Sequence, residues 1–160
     1  MEYHEAANFL FDLRRYSSTT GVESTRRLLE YLGRPGEELR VVQVAGSNGK
    51  GSTARMVESV LREAGYNVGL YTSPHLDDVR ERVRIDGRKV TRRAVRAFVE
   101  TAEPYITERA ADGASPTFSE TTTALAADRG ADIVRVHDVE EDVAAVRTVE
   151  AADDSSFDAK

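Results

Sequence analysis

The chain has 160 residues, 40% of them apolar and 31% charged, with no cysteine and a formal net charge of −6. That length suits one domain with a real core. The lack of cysteine excludes disulfides and thiolate metal sites, and three scattered histidines (His4, His75, His137) leave any catalytic metal to oxygen ligands.

No apolar run reaches the roughly 18 to 20 residues of a membrane span, and the N-terminus MEYHEAANF has acids where a secretory signal has basic residues. A cytoplasmic protein with no membrane partner is expected. From Asp128 onward ten acids face four basic residues, whereas the first 127 residues hold 18 of each, so composition shifts near Ala127. No basic stripe stands apart from neighbouring acids, so no nucleic-acid partner is expected. Lysine occurs only at 50, 89 and 160 against 19 arginines, a composition compatible with a salt-adapted source.

Residues 2 to 15 place Tyr3, Ala6, Ala7, Leu10, Phe11 and Leu13 at helical spacing, with Arg14 and Arg15 suited to the last turn. After an STTG break, Val22, Leu28, Leu29 and Leu32 mark a second amphipathic helix, stopped by Gly33 with Pro35 and Gly36 beyond. Leu39 to Ala45 reads as a strand, and it runs straight into the stretch that carries the chemistry.

That stretch, VVQVAGSNGKGSTA from Val41 to Ala54, breaks an apolar run into a glycine-rich turn with one lysine and two hydroxyls. Gly46, Gly49 and Gly51 allow a tight turn whose backbone N–H groups approach phosphate oxygens without a side chain in the way. Lys50 would place its charge on the β and γ phosphates. Ser52 or Thr53 would offer a hydroxyl to Mg²⁺ at the positive end of the following helix. The pattern G-x-x-x-x-G-K-[ST] is not met, because Val44 holds the first glycine position and Gly51 separates Lys50 from the hydroxyls. The loop is a variant phosphate-binding loop, and ATP with Mg²⁺ is the expected cofactor pair.

The helix runs to Ala64, and NVGLY (Asn67 to Tyr71) forms a second strand, completing a βαβ unit of about 30 residues with parallel strands. TSPHL (Thr72 to Leu76) follows at the carboxyl edge, where open α/β sheets place ligands, and His75 there is read as a solvated loop histidine or a substrate contact. In ERVRIDGRKV, Val83, Ile85 and Val90 alternate about Asp86-Gly87, a hairpin signal. Arg82 and Arg84 are a solvated face or the receivers of an anionic substrate. Thr91 caps a helix with Val95, Phe98, Val99, Ala102 and Ile106 on its core face. The loop ADGASPTFSE leads to a further helix ending near Ala127. Glu120 at its start is a helix N-terminal charge, or a Mg²⁺ ligand if the loop folds back on Ser52.

Taken together, VAGSNGKGST, TSPHL, ERVRIDG and PTFSETTTALA, in this order and spacing, resemble folylpolyglutamate synthase and dihydrofolate synthase of the Mur ligase superfamily. The resemblance covers about residues 1–126. It implies an α/β fold, a P-loop parallel sheet with flanking helices like the Mur-ligase central domain. It also implies Asn48, Gly49, Lys50, Gly51 and Ser52 at ATP, Ser52 and Glu120 at Mg²⁺, and Ser73, Pro74 and His75 on the folate side. Ser47 replaces the family's usual threonine, and Ser119 an aromatic before the glutamate. The family continues for several hundred residues beyond this point, with a further metal-ligand histidine, a lysine that is often carbamylated and a separate C-terminal domain.

From 127 to 160 the pattern changes. GADIVRVHDVEEDVAAVRTVEAA resembles the closing strand and helix of dihydropteroate synthase, a TIM-barrel enzyme whose R-x-H motif helps bind the diphosphate of the pterin substrate. Arg135 and His137 match that motif, on one face near the strand's carboxyl end. One βα unit cannot close a barrel, so this piece is expected instead to add a strand at Ile133 to Val136 to the sheet begun upstream. The two resemblances imply the ends of a bifunctional folate-pathway protein joined with its middle missing.

The activity implied is ATP-dependent ligation of glutamate to dihydropteroate or folate through an acyl phosphate. Two alternatives stand beside it: an inactive nucleotide-binding remnant, and another P-loop small-molecule kinase.

Overall fold

The protein is described from a computed structural model, which covers residues 1–17 and 22–130, and the backbone of 133–135. The described residues form five α-helices and five strands. Helix α1 spans Tyr3–Asp12 and passes into a 3₁₀ turn at Leu13–Arg15. Helix α2 spans Val22–Tyr31, and Gly33 just beyond it takes φ 86°, the left-handed stop the sequence anticipates. Strand β1 is Val42–Val44, α3 Lys50–Glu63, β2 Gly69–Tyr71, and β3 (Val83–Ile85) pairs with β4 (Arg88–Lys89). Helix α4 covers Arg92–Ala111, α5 Phe118–Asp128, and β5 Ile133–Arg135.

The strands form one mixed sheet in the order β1-β5-β2-β3-β4. β1 and β2 each run parallel to β5, so they are parallel to one another as expected of a βαβ unit, yet they are not neighbours. β5 lies between them, with Val134 opposite Gln43 on one side and Tyr71 on the other. The hairpin then adds antiparallel strands: Leu70 faces Arg84, and Arg84 faces Lys89. Its two-residue turn, Asp86-Gly87, has φ of 48° and 78°, the left-handed pair a type I′ turn requires. The Asp86 carboxylate also accepts from Val68 N–H at 2.8 Å, and Asp86 N–H donates to Val68 O, tying the turn to the entrance of β2.

Two cores flank this sheet because successive residues of a strand face opposite ways. Leu70 packs with Val68 and Ala54, backed by Val44, Val57 and Leu61, beneath α3. Tyr71 belongs to the larger core under α1, α2, α4 and α5, which buries Leu10, Leu28, Phe98, Val99, Ile106 and Leu125. Each such side chain, fully buried, stabilises by roughly 1.5 to 3 kcal/mol relative to exposure. All five residues read as the core face of α4 are buried, and Thr91 caps it by accepting from Ala94 N–H at 3.1 Å.

Candidate functional site

The glycine-rich turn leaves the carboxyl end of β1 and enters α3 without a linker. Gly49 is the N-cap at φ 77°, a conformation that favours glycine, and Lys50 is the first helical residue. Thr53 N–H already donates to Gly49 O at 2.9 Å, so the free N–H groups are those of the first turn, at 50 to 52. A Cβ placed on Gly46, Gly49 or Gly51 would meet no atom within 4 Å. The outer surface of the turn is therefore open, with room for an anion to approach its backbone N–H groups.

Lys50 is buried, with its ammonium turned onto the loop: Nζ donates to Gly46 O, and lies 3.3 Å from Ser47 O. The amine braces the turn from within while remaining beside the open surface. Asn48, Ser52 and Thr53 are exposed. Ser52 thus presents a hydroxyl at the helix mouth. Among the described residues no group of three or more His, Asp or Glu side chains is placed to hold a metal ion. One hydroxyl suits Mg²⁺ in particular, because that ion commonly keeps several waters and takes its other oxygens from phosphate.

Glu120 occupies the third position of α5 and closes a reciprocal cap with Thr117: Thr117 N–H donates to Glu120 Oε2 at 2.6 Å, and Glu120 N–H to Thr117 Oγ1 at 3.3 Å. Its reading as a helix N-terminal charge is met by this geometry.

The second region begins at the end of β2. Thr72 N–H donates to Arg82 O at 2.8 Å, and TSPHL leaves the sheet there, with a cis peptide between Ser73 and Pro74. Pro74 is exposed and Ser73 partly so. His75 is not a freely solvated loop residue. Its Nδ1 lies 2.8 Å from Arg82 Nε and its Nε2 3.0 Å from Arg14 Nη2, and its ring packs against Phe11 and Phe118 at centroid distances of 5.6 and 5.9 Å. Burial, and then the Arg82 and Arg14 charges, lower its pKa; Glu81 and Asp78 oppose this more weakly. Both effects favour the neutral form of the imidazole.

Arg82 is only 8% exposed and donates through Nη1 to Tyr71 Oη at 3.3 Å, which in turn pairs with Thr122 Oγ1 at 2.9 Å. Of the two readings of Arg82, the solvated face is excluded by this burial. Arg84 points a donor at Gly87 O, 3.2 Å away, and serves the hairpin. Arg14, read as a charge for the end of the first helix, instead reaches 61 residues along the chain to His75. No local signal could have revealed that contact, and Phe118 joins it from α5.

Arg135 ends β5, in register with Val44 at the mouth of the glycine-rich turn. His137 lies outside the described residues. No helix of the described residues is long and apolar enough to cross a membrane.

No protein-family profile matches the chain. A probable bifunctional folylpolyglutamate synthase/dihydropteroate synthase of Haloferax volcanii is 68% identical over 126 residues, which make up 79% of this chain and 15% of that protein. The Bacillus subtilis dihydrofolate synthase/folylpolyglutamate synthase is 33% identical over 104 residues, 65% of this chain and 24% of its own. In structure, the folylpolyglutamate synthase of Thermotoga maritima superposes with a TM-score of 0.72 at 36% identity, over 83% of this chain and 32% of that one. A folylpolyglutamate synthase complexed with AMPPCP and folate gives 0.71 at 34% identity, over 85% and 35%. The chain thus spans 15% of the length of the Haloferax relative and about a third of the solved enzymes. Over the stretch that aligns, sequence and fold agree, and there the chain is similar to folylpolyglutamate synthases.

Proposed function

We propose that the chain binds Mg·ATP on the 46–53 turn and serves the ATP-dependent ligation of glutamate to dihydropteroate or a folate. The observation that carries this reading is the open glycine turn delivering Lys50 to the first position of α3, within a chain 68% identical over 126 residues to a probable bifunctional folylpolyglutamate synthase/dihydropteroate synthase.

The chemistry divides into two displacements. A substrate carboxylate oxygen attacks the γ-phosphorus of ATP, forming an acyl phosphate as the bond to ADP breaks. The amine of glutamate then attacks the acyl carbon, the C–N bond forms, phosphate leaves, and the amine gives up a proton. Asn48 and the N–H groups of 50 to 52 orient the phosphates, and Lys50, swinging from Gly46 O and Ser47 O, meets the charge that develops on the transferred phosphoryl. Such preorganised donors are worth several kcal/mol of barrier. Ser52, exposed at the helix mouth, and Glu120 would hold Mg²⁺, which when bound neutralises phosphate charge. Ser73, Pro74 and Arg82 form the folate side, and His75 stands at it beside Arg82. In residues 127–160, Arg135 and His137 take the places of the R-x-H motif of dihydropteroate synthase, and the Haloferax relative, a probable bifunctional protein with that synthase, supports the assignment. A cytoplasmic location completes the reading.

Calorimetric titration of Mg·ATP into the wild-type chain and into Lys50→Ala tests the nucleotide site. Binding by wild type alone is expected, and equal binding by both overturns the assignment of Lys50. Phosphate release that requires both dihydropteroate and glutamate identifies the ligase. Stable transfer of phosphate without glutamate identifies a kinase instead, and nucleotide binding without turnover identifies an inactive nucleotide-binding chain.

A further inference from the structure

The contacts of His75 are chemically mismatched. A neutral imidazole has one N–H and one acceptor nitrogen, whereas guanidinium groups only donate. Arg82 Nε stands 2.8 Å from one ring nitrogen and Arg14 Nη2 stands 3.0 Å from the other. Whichever tautomer is present, one of these approaches sets N–H against N–H. The space between the two arginines calls for a group that accepts on both sides and carries negative charge.

The neighbouring carboxylates do not supply it. Asp78 is bound by Arg80 through Nε and Nη2 at 2.9 and 2.6 Å, and Glu81 takes Leu76 N–H at 2.9 Å and Lys89 at 3.2 Å. Among the described residues neither Arg14 nor Arg82 is paired with an acid. Both guanidinium groups rest instead on the Phe118 ring, at 4.7 and 4.6 Å from its centroid. Stacking there holds the two guanidinium groups beside one another; Arg82 Nη1 is taken by Tyr71 Oη, and the N–H groups turned toward His75, Arg82 Nε and Arg14 Nη2, are those a ligand would meet.

We propose that Arg14 and Arg82 form a carboxylate-receiving pair seated on Phe118, and that His75 occupies the ligand's place and is displaced when a carboxylate arrives. Arg14 thereby becomes a binding residue contributed by the first helix. The assignment of the carboxylate to a pteroyl compound rests on the folate-ligase reading above; the α-carboxylate of glutamate has the same chemistry. The aromatic rings of Phe11 and Phe118 beside the pair favour an aryl carboxylate.

The test follows the imidazole C–H resonance of His75 in the full chain, identified by its loss in His75→Gln, while benzoate, pteroate and glutamate are titrated separately. Benzoate and pteroate are expected to move it, and Arg14→Gln and Arg82→Gln to weaken pteroate binding at least tenfold. Arg14→Lys, which keeps the charge but not the fork, should recover only part, and His75→Ala should bind at least as tightly as wild type. Arg82 is buried, so the exposed Arg14 carries the decisive comparison. Pteroate binding alike to wild type and Arg14→Gln leaves the folate reading standing and overturns the pair. A benzoate shift without pteroate binding upholds the pair and removes the folate reading, and a shift with glutamate alone upholds it with glutamate as the ligand. Loss of binding in His75→Ala, or a resonance that no carboxylate moves, overturns it.

Discussion

Glu120 is where the cap and the proposed metal role can be separated by substitution. Its carboxylate accepts from Thr117 N–H at 2.6 Å and its own N–H bonds Thr117 Oγ1 at 3.3 Å. Glu120→Ala removes the first of these bonds, and a lost cap interaction costs about 1 kcal/mol. For a domain of this size that lowers the melting temperature by roughly 4 °C. Glu120→Gln keeps an acceptor oxygen for Thr117 N–H and loses only the charge at the first turn, about 0.3 to 1 kcal/mol. Without nucleotide the glutamine variant should therefore melt above the alanine variant. With Mg·ATP at a hundred times its dissociation constant, wild type gains about 2.7 kcal/mol by mass action. If Glu120 also meets Mg²⁺, the glutamine variant gains far less, since a neutral amide replaces a charged oxygen. Scanning calorimetry of the three proteins with and without Mg·ATP gives all the quantities. A glutamine variant with the full nucleotide shift would refute the metal role and leave Glu120 as a cap alone.

Asp86→Ala removes the acceptor for Val68 N–H at 2.8 Å and a residue suited to φ 48°, so urea unfolding should show a loss of about 1 to 3 kcal/mol. Burial pushes the Asp78 carboxyl upward, but bonds from the Arg80 side chain, Arg80 N–H and Tyr3 outweigh it and hold its pKa well below the usual range. Its contribution is therefore present above the unfolded value near about 3.9 and lost as pH falls through the folded one, so Asp78→Asn should shrink the acid limb of a pH-stability curve. Burial and two arginines lower the His75 pKa, so the unfolded chain takes up its proton first. Stability should be complete above about pH 6.5 and decline below it, and His75→Gln should flatten that slope in thermal melts from pH 7 to 5.

Local pattern made much of this fold legible. The five apolar positions of α4 recur at helical spacing and all are buried, Thr91 caps as its type suggests, and Asp86-Gly87 turns where two left-handed residues are needed. The glycine-rich turn between β1 and α3 was readable for the same reason: the residues that form it are consecutive. What local pattern does not encode is partnership at a distance. The strand anticipated over Leu39 to Ala45 forms only at Val42–Val44, where β5, some 90 residues on, pairs with it. The β2 strand likewise contracts to Gly69–Tyr71, the residues opposite β3. Arg14 looked like a helix-end charge because nothing near it announces His75, and the burial of Arg82 follows from α5 packing over β2, which the alternation of one strand cannot specify.

The position of β5 links the two candidate regions mechanically. Strands β1, β5 and β2 are parallel, so the glycine-rich turn after β1, the TSPHL loop after β2 and the end of β5 emerge at one edge of the sheet. Arg135 stands beside Val44, and Val134 beside Tyr71, so β5 is the spacer that sets the separation of the two loops. A central strand cannot tolerate proline, which removes a ladder N–H. Val134→Pro should therefore release β1 from β2 and weaken Mg·ATP and pteroate binding together. Lys50→Ala should weaken only the first and Arg14→Gln only the second. Parallel calorimetric titrations of the three variants decide the matter: if Val134→Pro binds both ligands as wild type does, β5 does not space the two loops, and each region is positioned by its own strand and helix.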